Sequence, residues 1–320
     1  MNITFLLILI ITMLIIVFLF TKMVYKKNNY NNNDVEQRVN YYLSTHLNDN
    51  IKTDKKITLD ELKLNRDSTE IYVSPFEELL IKTNNENKTF NIILGDVRKP
   101  NYNLELCKTR NVISRNSVIL RCLNLNRHWN NYYNRPKDIP YDKKENKIFW
   151  RGTTTGSKDN PANRFTLIEK WFNKNKNIDI GLSGICHGKD DYNKYVKGSI
   201  NTTKFLKYKY ILSIEGNDKD SGINWKLNSN SLVLMAKPNV VSWLMEDKLI
   251  PDFHYVLLKD DFSDLEEKLE WCNNNQDKCK EMIKNANKYM SQFSDITKEE
   301  EIEIKVINKY FEILNNIENK

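Results

Sequence analysis

The sequence predicts an α/β protein of two lobes, set behind a membrane-spanning helix. Three observations predict it. An apolar segment without charge fills residues 3–20. Beyond residue 60, short apolar runs alternate with amphipathic stretches of helical period, the pattern of parallel strands covered on both faces. A basic segment at 127–144, carrying Pro136 and Pro140, reads as a long loop that divides this alternation in two. The expected boundaries are an anchor at 1–21, a flexible stalk at 22–59, an N-lobe at 60–146, a C-lobe at 147–295 and a C-terminal helix at 296–320.

The anchor is read from residues 3–20, interrupted only by Thr4 and Thr12. As a helix it reaches roughly 27 Å, enough to cross a bilayer core. No basic start and no small-residue cleavage pattern accompany it, so an uncleaved single span is expected. Lys22, Lys26 and Lys27 favour a cytoplasmic body by the positive-inside rule, whereas Asn-X-Thr sequons at Asn87 and Asn201 suit a lumenal one. The side stays open. The Lys/Asn-rich stretch that follows reads as a stalk.

In the body, strands are expected at 91–94, 117–121, 147–150, 178–182, 208–214, 231–236 and 255–258. Helices are expected at 163–173, 225–230, 240–247, 262–273, 279–290 and 298–317. Ser263 and Glu266 have capping-box spacing. Composition narrows the function. Sixteen Tyr, 13 Phe and 6 Trp exclude a disordered chain, and five irregularly spaced Cys exclude a disulfide scaffold. The net charge of +7 comes from 49 basic and 42 acidic residues that are interspersed without a basic stripe, so no nucleic-acid partner is expected.

Open α/β sheets bind ligands beyond the carboxyl ends of their strands, and three such ends are polar here. Asp96 follows the first strand, where it can act as a general base or as a turn residue. Arg151 and Gly152 follow the 147–150 strand, with Arg164 opening the next helix; the two arginines can hold a diphosphate or be solvated turn residues. After the 208–214 strand come Asn217, Asp218, Asp220, Ser221, Gly222, Asn224 and Lys226. The Ser221–Gly222 amides sit where a helix should begin, and Lys226 follows one turn on. Asp218 and Asp220 form a D-x-D able to hold a divalent cation. His254 reads as structural, the Cys186-His187 pair lacks further zinc ligands, Cys272 and Cys279 form no metal signature, and Trp243 and Trp271 read as core.

Taken in order, Phe149-Trp150-Arg151-Gly152, then Tyr208 through Asp218, Ser221-Gly222, Leu227 through Val233, Trp243-Leu244-Met245-Glu246, Leu249-Ile250-Pro251, His254-Tyr255-Val256 and Lys259 through Glu266 resemble glycosyltransferase family 90. That family includes protein O-glucosyltransferases, fungal capsule xylosyltransferases and lipopolysaccharide-modifying enzymes, and the Glu215-Gly216-Asn217-Asp218 version looks closest to the last. The resemblance implies a GT-B fold of two Rossmann-like lobes. It implies inverting, metal-independent transfer from a UDP-sugar, glucose or xylose, to a hydroxyl of a glycan or protein, with no cofactor. Asp96 matches the family's catalytic base in the N-lobe. Arg151, Gly152, Arg164, Asn217, Ser221, Gly222, Asn224 and Lys226 match its donor-binding residues in the C-lobe, although animal members carry Arg at the place of Lys226. The competing readings are a GT-A-like, metal-dependent transferase using Asp218 and Asp220, and an inactive membrane-tethered carbohydrate-binding protein.

Overall fold

The computed structural model describes residues 35–44, 56–64, 70–96, 99–114, 116–160 and 162–319. The anchor expected at 3–20 lies outside them; among the described residues no helix is long and apolar enough to cross a membrane.

Helix α1 (Val35–Leu43) stands in the stretch expected as stalk, and the structure corrects that reading. Val39, Tyr42 and Leu43 make an apolar stripe and are buried, and between them Arg38 is only 2 % exposed. Its guanidinium reaches the Glu299 carboxylate at 2.5 and 2.7 Å and the Tyr42 hydroxyl at 2.8 Å. A charged residue on the buried face hid the stripe. Helices α2 (Leu59–Leu64) and α3 (Glu70–Lys82) follow. A capping box opens α2, with Thr58 N–H donating to Glu61 at 2.8 Å and Glu61 N–H to Thr58 Oγ1 at 3.2 Å.

Strands β1 (Ile92–Ile93), β2 (Glu105–Cys107), β3 (Thr109–Asn111) and β4 (Ser117–Ile119) come next. A parallel sheet of order β1-β2-β4 forms, with Ile92 opposite Leu106 and Leu106 opposite Val118. The 127–144 segment expected as loop begins inside helical turns, a π turn at Leu125–Trp129 and α4 (Asn130–Tyr133). The second half holds β5 (Glu145–Thr153), α5 (Arg164–Trp171), β6 (Ile178–Gly184), α6 (Thr202–Phe205), β7 (Tyr208–Leu212), α7 (Ile223–Leu227), β8 (Leu232–Met235), β9 (Val240–Ser242) and β10 (Val256–Leu257). Its five-stranded sheet runs β10-β8-β7-β5-β6, parallel throughout. The chain steps one way from β5 to β6 and the other way from β5 to β7, so the crevice at their carboxyl ends is a topological switch point.

The helix expected at 240–247 is instead β9 followed by a 3₁₀ turn at Glu246–Lys248. Val240 and Val241 favour extended backbone, and Met245 takes a left-handed conformation (φ 57°) that ends any helix. Strand β9 pairs antiparallel with β3, Arg110 opposite Val241, and so laces the two halves together. Helices α8 (Leu265–Asn274), α9 (Gln276–Ser291) and α10 (Ile296–Glu318) close the chain. Helix α8 starts without the expected Ser263–Glu266 box: Asp264 is the N-cap residue, and its carboxylate accepts from Lys259 N–H at 3.1 Å. The body is therefore an α/β protein with parallel sheets and C-terminal helices. Helix α10 returns to the first half, where Ile302, Val306, Ile307, Tyr310 and Phe311 join α1, α3 and the three-stranded sheet in one core. A second core lies between the five-stranded sheet and α5, α8 and the start of α9.

Candidate active site

Loops from both sheets meet at carboxyl strand ends. The β5 loop carries Thr153, Thr155 and Gly156, and the β7 loop carries Glu215 to Gly222. The two interlock through Gly156 N–H, which donates to Asn217 Oδ1 at 2.8 Å. Gly156 has φ +102°, and a Cβ there would lie 2.9 Å from the Gly216 carbonyl oxygen. A Cβ on Gly216 would lie 2.8 Å from Thr155 Oγ1 and 3.0 Å from Arg164 Nη2. Only glycines allow this approach. Arg164, in the first turn of α5, donates to Thr155 Oγ1 at 2.6 Å, Thr153 O at 3.1 Å and Ile214 O at 3.3 Å, and so clasps both loops.

Asp96 reaches this assembly from the other sheet. Its carboxylate is 30 % exposed and ion-pairs with Lys108, and Asn217 stands beside it. Partial burial pushes its pKa up, but the bond and charge of Lys108, the Asn217 amide and the Arg127 charge outweigh this and hold it below the ordinary value. The group is thus ionised and accessible at neutral pH, the state a proton acceptor needs.

Lys108, between β2 and β3, is almost wholly buried and also lies 3.1 Å from Asp218 Oδ2. Thr109 Oγ1 donates to the same oxygen at 3.2 Å. Burial pushes the Asp218 pKa up, with Lys108 opposing it and Asp96 adding to it. The D-x-D carboxylates diverge. Asp220 Oδ2 accepts from Lys226 Nζ at 2.5 Å and Ser213 Oγ at 2.8 Å, while its Oδ1 accepts from Gly222 N–H at 3.0 Å. Burial opposes ionisation of Asp220, yet Lys226 and the Gly222 bond bring its pKa below the ordinary value. Among the described residues no group of three or more His, Cys, Asp or Glu is placed to hold a metal.

Several donor candidates therefore sit differently from expectation. Lys226 is buried against Asp220, and the Gly222 amide is occupied by the same carboxylate. Helix α7 spans only five residues, too short for a strong dipole. Asn224 is fully buried, its Oδ1 taking Lys219 Nζ at 2.9 Å, and Lys219 pairs with Glu246 at 3.0 Å. Ser221 stays partly exposed at the loop. Arg151 lies over the Phe149 ring at 4.4 Å and is committed to Asp179 on β6, the side of β5 away from β7. Gly152 makes room for the Trp150 indole, which a Cβ would approach to 2.5 Å. Beside these groups, a shallow pocket opens at the ends of β7 and β8, lined among others by Ser213, Glu215, Asp220, Met235, Pro238 and Asn239.

A family model for glycosyl transferase family 90 matches residues 121–316. The O-glucosyltransferase LpsA of Dichelobacter nodosus is 32 % identical over 226 residues, covering 70 % of this chain and 67 % of that protein. The chain belongs to glycosyl transferase family 90. Protein O-glucosyltransferase 2 of Danio rerio is 27 % identical over 145 residues, covering 44 % of this chain and 28 % of that protein. The uncharacterized protein 179R of Invertebrate iridescent virus 6 is 36 % identical over 89 residues, 26 % of this chain and 8 % of that one. The protein is a glycosyltransferase, and the family match spans Arg151 through Lys226.

That match begins beyond Asp96, and Asp96 joins the matched part through Lys108, which it shares with Asp218. Sequence reasoning missed Lys108, Lys219 and Glu246. Lys108 and Lys219 are single lysines in polar stretches, and only the long-range partners mark them. His254 is structural as expected: its Nδ1 accepts from Ile250 N–H at 2.8 Å, and burial pushes its pKa down to about 4. Cys272 and Cys279 are buried, as is Trp243, which stacks on Tyr42 with ring centroids 3.7 Å apart.

Proposed function

We propose that this glycosyltransferase moves a sugar, glucose first and xylose second, from a UDP-sugar to a hydroxyl of a glycan or protein acceptor, with inversion and with Asp96 as general base. The two parallel sheets are read as the lobes of a GT-B arrangement, with the donor on the five-stranded one. The observation that carries this reading is the ammonium of Lys108 shared between Asp96, from one sheet, and Asp218 in the switch-point loop of the other. The names of LpsA and the Danio rerio relative support glucose as the sugar, and the resemblance of the Glu215-Gly216-Asn217-Asp218 segment to the lipopolysaccharide-modifying branch supports a glycan of that type as acceptor. Residues 3–20 are read as tethering the enzyme to a membrane, with the side to be read by protease protection of the tethered body.

The acceptor hydroxyl loses its proton to Asp96 as its oxygen attacks the anomeric carbon, and the bond to the β-phosphate oxygen breaks with its electron pair on UDP. Arg164, the Thr153 and Thr155 hydroxyls, Asn217 and Ser221 are the groups proposed to meet the leaving diphosphate. Gly152 and Gly222 shape the loops. Arg151, Asn224 and Lys226 act through Asp179, Lys219 and Asp220 respectively. In the metal-dependent alternative a cation would have to displace Lys108 from Asp218 and Lys226 from Asp220, two buried ion pairs.

The test is a panel of UDP-sugars, assayed with the full chain in detergent for hydrolysis and for transfer to glycan acceptors, with and without EDTA. Turnover of UDP-glucose that survives EDTA and disappears in Asp96→Asn, while UDP still binds, is the expected result. Binding without turnover of any UDP-sugar would leave only the carbohydrate-binding alternative. Turnover retained in Asp96→Asn would remove Asp96 from the mechanism.

A further inference from the structure

Lys108 is an ammonium buried between two carboxylates that come from different halves of the molecule. Its side chain is 1 % exposed, so it cannot exchange protein partners for water. If Asp96 were its sole counter-charge, protonation of Asp96 would leave a buried cation uncompensated, and the pair would resist accepting a proton. Asp218 removes this obstacle. It lies 3.1 Å from Lys108 Nζ, is itself 9 % exposed, and is held by the Thr109 hydroxyl at 3.2 Å. We propose that Lys108 and Asp218 are positioning residues for the base: Lys108 orients the ionised Asp96, and Asp218 balances Lys108 when Asp96 turns neutral.

The proposal rests on Asp96 being the base. In the step, the acceptor O–H bond breaks and an O–H bond forms on Asp96, while Lys108 keeps all three protons and its attraction passes from Asp96 to Asp218. No proton leaves the triad until product departs. From α3 the Tyr72 ring lies 5.2 Å from Lys108 Nζ, and from the π turn Arg127 adds a positive charge near Asp96. His128 on that turn is buried, and burial together with Lys219, Lys108 and Arg127 pushes its pKa well below the ordinary value, so it stays neutral. From the β7 loop come Asn217 and Lys219, the latter balanced by Glu246.

The pH dependence separates positioning from mere structure. Removing the cation lets the Asp96 pKa rise, so the acid limb of kcat/KM moves to higher pH. Removing Asp218 leaves Lys108 wholly to Asp96, which becomes a weaker base, so the limb stays or moves to lower pH and kcat falls.

The experiment uses the full chain with UDP-glucose as donor and water as acceptor, and compares Lys108→Met, Asp218→Asn, Asp96→Asn and the double variant Lys108→Met/Asp218→Asn. Expected is an upward shift of the acid limb by about one pH unit in Lys108→Met, with no upward shift in Asp218→Asn and a loss of kcat of about tenfold or more. The double variant removes both the cation and its second partner; it is expected to fold, with its limb shifted upward, even where Lys108→Met does not. Loss of rate in both single variants with fixed limbs, or a fixed limb in a folded double variant, overturns the proposal while leaving Asp96 as base. Turnover in Asp96→Asn overturns the base assignment, and this inference with it.

Discussion

Replacing Arg38 with methionine tests whether helix α1 belongs to the folded body. Glu299 is fully buried and takes two hydrogen bonds from Arg38, at 2.5 and 2.7 Å, and one from Trp243 Nε1 at 2.5 Å. Arg38→Met keeps the length of the side chain but leaves the carboxylate facing a single donor. Breaking a buried pair from one side costs about 3–5 kcal/mol. At about 2–4 °C per kcal/mol, with a chain of this size at the low end, Tm should fall on the order of 10 °C. The double variant Arg38→Met/Glu299→Met removes the stranded charge and leaves only Trp243 Nε1 without its acceptor, a cost of about 1–3 kcal/mol. It should therefore be more stable than the single variant. Thermal unfolding of the full chain in detergent, followed by circular dichroism, reads both. A single variant within about 1 kcal/mol of the parent would refute the reasoning, because the pair would then be solvated. The same contacts predict that a fragment starting at Asn50 unfolds readily, since it lacks Arg38 and the Tyr41 and Tyr42 carbonyls that hold Arg110 at 2.7 and 3.0 Å.

Three further outcomes are expected. Gly156→Ala should keep the fold but lower turnover about tenfold or more, because its positive φ and the Gly216 carbonyl 2.9 Å from a Cβ force the two switch-point loops apart; unchanged kcat/KM would show that the loops do not position the donor. Lys226→Met should lower Tm by stranding Asp220, and Asp220→Asn in the same chain should restore it. A raised KM for UDP-glucose that Asp220→Asn fails to rescue would instead make Lys226 a direct diphosphate ligand. Arg164→Lys should cost about tenfold or more in kcat/KM with little change in Tm, since a single ammonium cannot span Thr153, Thr155 and Ile214 together; retention of full activity would remove Arg164 from the donor site.

The strands of the five-stranded sheet were legible because each contains a short apolar run, buried on both faces where Tyr210, Ile211 and Leu212 show it. Strand β2 was not. Glu105 sits within it as a buried charge bound by the Asn101 amide, and a charge inside a short run defeats any reading by hydropathy. The helix read at 240–247 failed for a related reason. Two valines and an apolar stretch suit either period, and the antiparallel partner β3 decides the outcome from more than a hundred residues away. Capping was legible only in part: both Thr58 and Ser263 have a glutamate three residues on, but the second helix starts one residue later, at Asp264, without a side-chain cap bond. In the site, Asp96 and Asn217 were visible as polar residues after strands, and Arg164 as the cation opening a helix. Lys108 was not, because its meaning lies wholly in two carboxylates reached across the fold.

Charge was the least reliable guide, and the site explains why. Lys108 is matched by Asp96 and Asp218, Lys219 by Glu246, and Lys226 by Asp220. The lysines nearest the switch point thus cancel within the protein, and a net charge of +7 does not gather into a polyanion site. On the proposed reading, the donor diphosphate meets hydroxyls, an amide side chain and the guanidinium of Arg164 rather than a lysine cluster. Binding by oriented groups of that kind depends on loop geometry more than on net charge. Added salt should therefore weaken the KM for UDP-glucose only slightly, whereas displacement of either glycine-bearing loop should weaken it strongly.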